Sequence, residues 1–433
     1  MKNKIFWLIM LILILTVSCG EKNNTSGKDG SKEIVLRFLW WGSESRHKAT
    51  LDAIKLFEEK NPGIKIKAEY GGTDGYFQKL STQLTGNTAP DIMQVDYIWL
   101  FNFSKNGDGF YDINLLKDEF NLANYTKEDL SYTTINGKLN AIPVGMNGRA
   151  FFFNKSLYER AGIEIPKTFD ELLAADKILK QKIGPDTKSL DIVTSDSGAM
   201  FFVEYYVEQK YGKTLINTDN KVGVTKEELA DAFRFYKMLA DSGAVISAKD
   251  RAGAGNYPDD QNPLWINGEL GGVLNWNTMI GAYGDMLKKG DTMVAGDFLI
   301  GIGDHKSAYL KVNMTLAINK NTKHPKEAAK FLNFLLSDPE AAKILGTVRG
   351  IPLNKSAYAE LEKEGLTTGP VAEGLTKALN FAGPKKSPYI EDERTRQLGL
   401  VITQKLDYNE ITPEQAGEQM YTELTKLLEQ MTR

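Results

Sequence analysis

Aromatic rings beside hydrogen-bonding side chains recur along this 433-residue chain. Trp41 is followed by Ser43, Arg46 and His47. Asp74 comes just after Gly71-Gly72. Asp96 and Tyr97 precede Trp99, and Trp276 sits between Asn275 and Asn277. That mixture suits a sugar. A pyranose has an apolar C–H face that stacks on a flat ring, and a rim of hydroxyls needing directed donors and acceptors. A hydroxyl left unpaired in a dry cleft costs roughly 1–3 kcal/mol. Trp41 and Trp276 are therefore expected as stacking platforms, with the polar residues around them meeting hydroxyls. Trp40, one residue before Trp41, alternates to the other side and is expected in the core.

Bond-making chemistry has no comparable support. The chain holds no GxxxxGK[ST], HExxH, CxxC or GxSxG motif. His47, His305 and His324 lie far apart in sequence. Ser104, Asn106, Asp108 and Gly109 echo the start of a calcium loop. The first ligand position is Ser104 rather than a carboxylate, and the twelfth is Leu115 where a bidentate Glu is needed. A polar turn is expected there. Among 56 acids no pair is singled out for glycoside hydrolysis. The expectation is a binding protein, with no catalytic residue, metal or cofactor. A formal charge of -3 also argues against nucleic acid, whose affinity rests on neutralising phosphates.

Two arginines bear on the kind of sugar. A buried carboxylate is best held by a guanidinium fork. Arg46 follows the Trp41 loop, and Arg149 opens a later strand; facing each other across a cleft, they would hold a uronic acid. Arg349 is a weaker candidate, and Arg394 and Arg396 lie in a charged stretch expected at the surface.

These residues need elements to position them. Ile34–Leu39 reads as a buried strand, Ser45–Lys60 as a helix, Ile64–Tyr70 as an alternating strand and Asp91–Val95 as a third strand. Asp74 is expected to cap a helix carrying Phe77, Leu80 and Leu84. Strands recur at Ala150–Phe153, Leu270–Leu274 and Thr315–Ile318. Helices recur near Phe169–Lys182 with Thr168 as cap, Lys226–Ser242, Pro325–Leu336 and Pro413–Met431. This is an α/β chain, and in open α/β sheets ligands bind at the carboxyl ends of the strands, where the aromatic and polar residues lie. The chain is long for one core, so two lobes are expected.

The N-terminus reads as an export signal. Lys2 and Lys4 precede an apolar run, Ile5–Leu15, too short to span a bilayer, which takes roughly 20 residues. Thr16-Val17-Ser18 leads into Cys19, the single cysteine of the chain, which can form no internal disulfide. Residues 1–18 are expected to be a lipoprotein signal peptide and Cys19 the lipidation site. Residues 19–32 are then a lipidated cysteine and polar tether holding the protein at the membrane, facing the periplasm or the outer surface.

From Ile34 onward the chain resembles the extracellular solute-binding proteins, family 1. The resemblance is carried by NPGIKI, APDIM, GKLNAIPV, PKTFDELL, WINGEL and RGIPLNKSA. WWG followed by Arg46-His47, and the Asn275-Trp276-Asn277 segment, resemble the oligogalacturonide-binding subgroup. The resemblance implies a type II periplasmic-binding-protein-like fold, with the ligand cleft between two lobes joined by hinge strands. The first lobe would span 33–143 plus 312–355, and the second 144–311 plus 356–433, with Asn140–Val144 as first crossing. It further implies a monomer that delivers an oligosaccharide to ABC-transporter permease subunits, with Trp265 structural. A neutral oligosaccharide, a non-sugar ligand, and a surface glycosidase or polysaccharide lyase are the alternatives.

Overall fold

The computed structural model describes residues 33–432. The expected leader, Cys19 and the tether lie outside the described residues. Five strands build the central sheet in the first lobe and its crossings: β1 (Ile34–Trp41), β2 (Ile64–Gly71), β3 (Ile92–Val95), and the long strands Ile142–Asn154 and Leu310–Ile318. A small hairpin, β4 (Thr134–Ile135) and β5 (Lys138–Leu139), precedes the long strand Ile142–Asn154, which is β6. Then come β7 (Gly272–Trp276), β8 (Met293–Ala295) and β9, which is Leu310–Ile318. The order is β2-β1-β3-β9-β6-β7, with β8 also on β6. β1 is parallel to β2 and β3, while β9 runs antiparallel to both β3 and β6.

Most expected elements form where the apolar spacing puts them. Thr168 caps Phe169–Lys182 by accepting the Glu171 N–H. Lys226–Asp241 starts with a reciprocal capping box between Thr225 and Glu228, and Pro413–Thr432 packs along it. One expectation fails. Asp74 does not cap the helix Tyr76–Thr85. Gly75 holds that position at φ 71, with no side-chain cap bond. The chain needs a left-handed residue to leave β2, which glycine adopts without a Cβ clash, and this puts Asp74 one residue too early. The end of the expected crossing Asn140–Val144, from Ile142 on, and the expected strand Ala150–Phe153 run on in a single strand, β6, whose register slips on either side of Gly145. A Cβ on Gly145 would sit 2.7 Å from the Ile351 carbonyl and 2.9 Å from the Asn313 amide nitrogen, so only glycine fits this crossing.

Two cores result. One gathers Phe38, Phe57, Leu80, Ile92 and Phe331; the other Phe151, Phe153, Phe202, Phe233 and Leu424. Each such phenyl ring contributes roughly 1.5–3 kcal/mol on burial. The helix Lys355–Lys363 packs against Pro325–Ser337 and Pro339–Leu345, so the first lobe's packing runs on past 355. β6 and β9 form the ribbon that passes between the cores. Met146 and Val312, on one face of this ribbon, join Tyr97, Tyr132 and Leu375 in a separate apolar cluster. Residues two apart on a strand, and directly paired residues on neighbouring strands, share a face. Asn147 pairs with Lys311. The other face therefore carries Asn147 and Arg149 from β6, and Lys311 and Asn313 from β9. No helix among the described residues is long and apolar enough to cross a membrane.

Candidate functional site

The polar face of the ribbon opens into a cavity of about 440 Å³ between the lobes. The first lobe contributes Asp96, Trp99 and Asn102; β9 contributes Lys311; the second lobe contributes Glu391 and Arg396. A second groove, of about 520 Å³, lies within the second lobe beside Lys188, Asp250 and Tyr257 and is lined by residues of that lobe alone. The interlobe cavity is the one at the sheet's strand ends, where the fold class binds ligands.

Of three cations in or beside the cavity, two have a carboxylate partner and one is an exception. Lys311 meets Glu391 at 2.9 Å. Burial pushes the Glu391 carboxyl up, but Lys311, the Tyr309 hydroxyl and Arg149 more than offset it and hold it below the ordinary carboxylate value. Arg396 is ion-paired with Asp196. Asp96 caps the helix Tyr97–Phe103 by accepting the Ile98 N–H, and burial raises its pKa despite Lys311. The exception is Arg149. Its guanidinium lies 3.9 Å over the Phe201 ring and 5.1 Å from Trp276, and its Nε is buried without a hydrogen-bond partner. Glu391, Asp196 and Asp259 act on it only from a distance, so burial wins and lowers its pKa. Lys311 in turn sits 4.3 Å over Trp276, which leans on Tyr309 at 5.2 Å.

The structure thus brings Asp96, Arg149 and Trp276 together around Lys311 and Glu391, and disperses the rest of the expected set. Trp41 is not an open platform. It is 8 % exposed and packed against Tyr76 and Trp99, so Trp99 is the indole that reaches the cavity. Trp40 is fully buried, as its alternation predicted. His47 is turned inward: its Nδ1 accepts the Trp40 indole N–H at 3.1 Å and its ring packs on Tyr70. Ser43 caps the helix Glu44–Lys60. Arg46 donates to the carbonyls of Val348 and Trp41 inside the first lobe. Asp74 is exposed in the turn before Gly75. Tyr97 packs behind the ribbon against Tyr132 and Phe101.

The asparagines flanking Trp276 spend their hydrogen bonds internally, which removes them as hydroxyl partners. The Asn275 amide donates to Asp259 and Tyr283 while its oxygen accepts the Trp276 N–H. Asn277 accepts the Gly148 N–H and donates to the Val371 carbonyl, fastening β6. Trp265 is fully buried and donates to the Tyr283 carbonyl. Arg394 is exposed and paired with Asp392, as expected of a surface residue. Arg396 is not: a helix turn carries it to the cavity wall.

Sequence reading passed over Asn147, Lys311, Asn313 and Glu391. The signal for the first three was present as period-two polarity inside otherwise apolar strands, with Asn147 and Arg149 alternating in one and Lys311 and Asn313 in the other. The Oδ1 atoms of both Asn147 and Asn313 are buried with no partner, as is Oε1 of Gln94, whose amide donates to the Trp41 carbonyl. Each is a buried acceptor that the chain itself leaves unspent.

Two lobes, crossing strands and a polar interlobe cavity are the architecture of a solute-binding protein. The chain belongs to the bacterial extracellular solute-binding protein family, whose model matches residues 41–342. Among solved structures it is similar to a periplasmic oligogalacturonide-binding protein from Yersinia enterocolitica, with a TM-score of 0.84 and 35% identity, covering 92% of this chain and 100% of that one. It is 23% identical to the maltooligosaccharide ABC transporter solute-binding lipoprotein of Streptococcus pneumoniae, covering 84% of each chain. It is 26% identical to the diacetylchitobiose-binding protein of Streptomyces coelicolor, over 82% of this chain and 83% of that one.

Proposed function

We propose that the protein captures an oligosaccharide containing uronic-acid units outside the cell and delivers it to the permease of an ABC importer. The observation that carries the acidic part of this reading is Arg149, a buried guanidinium with no carboxylate hydrogen-bonded to it among the described residues, which shares the Trp276 ring with the cavity-lining Lys311. A ligand carboxylate supplies the missing partner, with two charge-assisted hydrogen bonds in a fork. Asn147, Asn313 and Gln94 accept hydroxyls, and Trp99 offers a ring face. The names of the Yersinia and pneumococcal proteins support a sugar, an uronide in one case and an ABC importer in the other. Closure of the lobes about β6 and β9 buries the ligand and presents the closed form to the permease. Cys19, lipidated after removal of residues 1–18, tethers the protein to the membrane, where it works as a monomer.

Titration calorimetry of residues 21–433 against uronic-acid oligosaccharides and neutral ones of equal length tests this. The expected result is binding of the uronides, lost on Arg149→Met. A neutral oligosaccharide is the second reading, favoured by Asp96 and Glu391, whose carboxylates on the cavity wall suit hydroxyl donors. Tighter binding of neutral sugars, indifferent to Arg149→Met, would establish it instead.

A further inference from the structure

Most described arginines meet a carboxylate: Arg37 with Glu69, Arg160 with Asp291, Arg234 with Glu414, Arg251 with Asp191 and Arg396 with Asp196. Arg349 has no such ion pair among the described residues, and it does not line the interlobe cavity. It is 6 % exposed, inside the first lobe. Its Nη2 donates to Thr50 Oγ1 at 2.8 Å, which anchors the side chain on the helix Glu44–Lys60. Its Nε and Nη1 are buried with no hydrogen-bond partner among the described residues. Burial, then the charge of Arg46, push its pKa down to about 9, and no acid offsets them. The guanidinium is still charged at neutral pH, so two donors and a positive charge stand unanswered. Burying a charge in that state is costly.

Arg349 lines a small cavity of about 40 Å³. Four elements wall it: β6 through Val144, the helix Pro325–Ser337 through Leu335, the helix Pro339–Leu345 through Leu345 and the helix Lys355–Lys363 through Leu361. No other lining residue has a polar side chain. A species in this space therefore meets one guanidinium and otherwise aliphatic carbon. The volume exceeds the roughly 10–15 Å³ that one water needs, and it is far smaller than a sugar site. Water satisfies the two donors but brings no charge. A carboxylate, sulfate or phosphate brings charge, but also further oxygens that need donors, and the aliphatic walls offer none. A halide brings one negative charge on a sphere with no directed lone pairs, and it tolerates C–H groups on its other sides.

We propose that one halide ion, chloride being the common one outside cells, binds in this cavity against Arg349 Nε and Nη1. It answers the charge that the chain leaves bare. It also ties the start of β6 to the three helices packed around that point. The site is separate from the interlobe cavity and takes no part in sugar recognition, so it stands whichever sugar the protein binds. Its effect is on the stability of the first lobe.

The test is thermal unfolding of the sugar-free protein in sodium chloride against sodium gluconate at equal ionic strength, with a bromide-soaked crystal to place the ion. The midpoint is expected to be higher in chloride. Above saturation the folding equilibrium constant should grow about tenfold for each tenfold rise in chloride. Bromide should give an anomalous peak beside Arg349 Nε and Nη1. Arg349→Met should make the midpoint indifferent to chloride, whereas Arg149→Met should keep the response. That pair tells this site from chloride held at Arg149. The wild-type midpoints and the crystal decide even if Arg349→Met folds poorly. Equal midpoints in chloride and gluconate overturn the site and leave water as the occupant. A bromide peak without a chloride response is binding at crystal concentration only, and overturns it too. So does a chloride response whose bromide peak lies elsewhere, or one kept in Arg349→Met and lost in Arg149→Met.

Discussion

Arg251 and Arg149 lie in the same lobe and are about equally withdrawn from water, 3 % and 5 % exposed. Their surroundings differ in kind. Arg251 donates to Asp191 at 3.1 Å and to the carbonyls of Val193 and Tyr257, stands 3.2 Å from Asp259 and covers the Tyr257 ring. Burial lowers its pKa, but Asp191 and Asp259 overcome that and leave it raised. Arg149 has aromatic rings where Arg251 has oxygen atoms, and burial leaves its pKa lowered. A buried cation completed by its own chain holds a lobe together. One left incomplete beside a cavity is, in our proposal, where an anion from outside binds. The same residue type at the same depth would then have opposite roles, told apart by counting partners, not by burial.

The largest effect should come from breaking the completed member. Arg251→Met leaves Asp191 and Asp259 without their counter-charge, and should destabilise folding by about 3–5 kcal/mol in urea unfolding. Arg149→Met removes a charge that lacks a partner, so the urea midpoint should hold or rise. Its cost should appear in affinity, about 100-fold for a uronide, or ~2.7 kcal/mol. If Arg149→Met unfolds the protein as Arg251→Met does, the distinction between them fails.

The acid beside Arg251 sharpens the contrast through pH. Burial raises the Asp191 pKa to about 6, against the pull of Arg251, the Val193 N–H and the Asn262 amide. Its unfolded value is about 3.9. Between these values the folded state holds a proton that the unfolded state has lost, so stability falls as pH rises from about 4 to about 6, by on the order of 2 kcal/mol. Urea midpoints across that range should show the decline, and Asp191→Asn should reduce its slope, leaving the part contributed by Asp407, which burial also raises to about 6. Arg149, a guanidinium, contributes no slope in this window.

A smaller effect belongs to the ring that supports both cavity cations. Trp276→Ala removes the indole under Lys311 and beside Arg149, and should weaken uronide binding about 10-fold through lost cation–π support and looser positioning. Smallest of all is Arg234→Ala at the surface, where the pairs with Asp231 and Glu414 are exposed to screening. It should cost less than about 1 kcal/mol and leave affinity alone.

Much of the architecture was legible in the residues. Apolar spacing located the helices at Phe169–Lys182, Lys226–Asp241 and Pro413–Thr432 to within a residue or two, because caps and periodicity are local. Trp40 went inward by strand alternation. The site was legible only in part. Asp96 lines the cavity and Arg149 and Trp276 gather beside its Lys311, but Asn275, Asn277 and His47 carry the right functional groups and spend them on Tyr283, Gly148 and Trp40. Sequence shows what a side chain can donate or accept. It does not show which neighbour arrives first.

The sequence by itself therefore determined the α/β class, the approximate element boundaries, the lack of a bond-making motif and the resemblance to a solute-binding family. Each depends on composition or on neighbours within a few positions. Only the tertiary structure decided that β6 crosses between lobes without a break and that Trp99 rather than Trp41 meets the cavity. It alone left Arg149, Arg46 and Arg349 without carboxylates. Partnership among buried polar groups is set by contacts tens to hundreds of residues apart, such as Arg46 with Val348 or Arg349 with Thr50, and such pairings leave no mark on local sequence pattern.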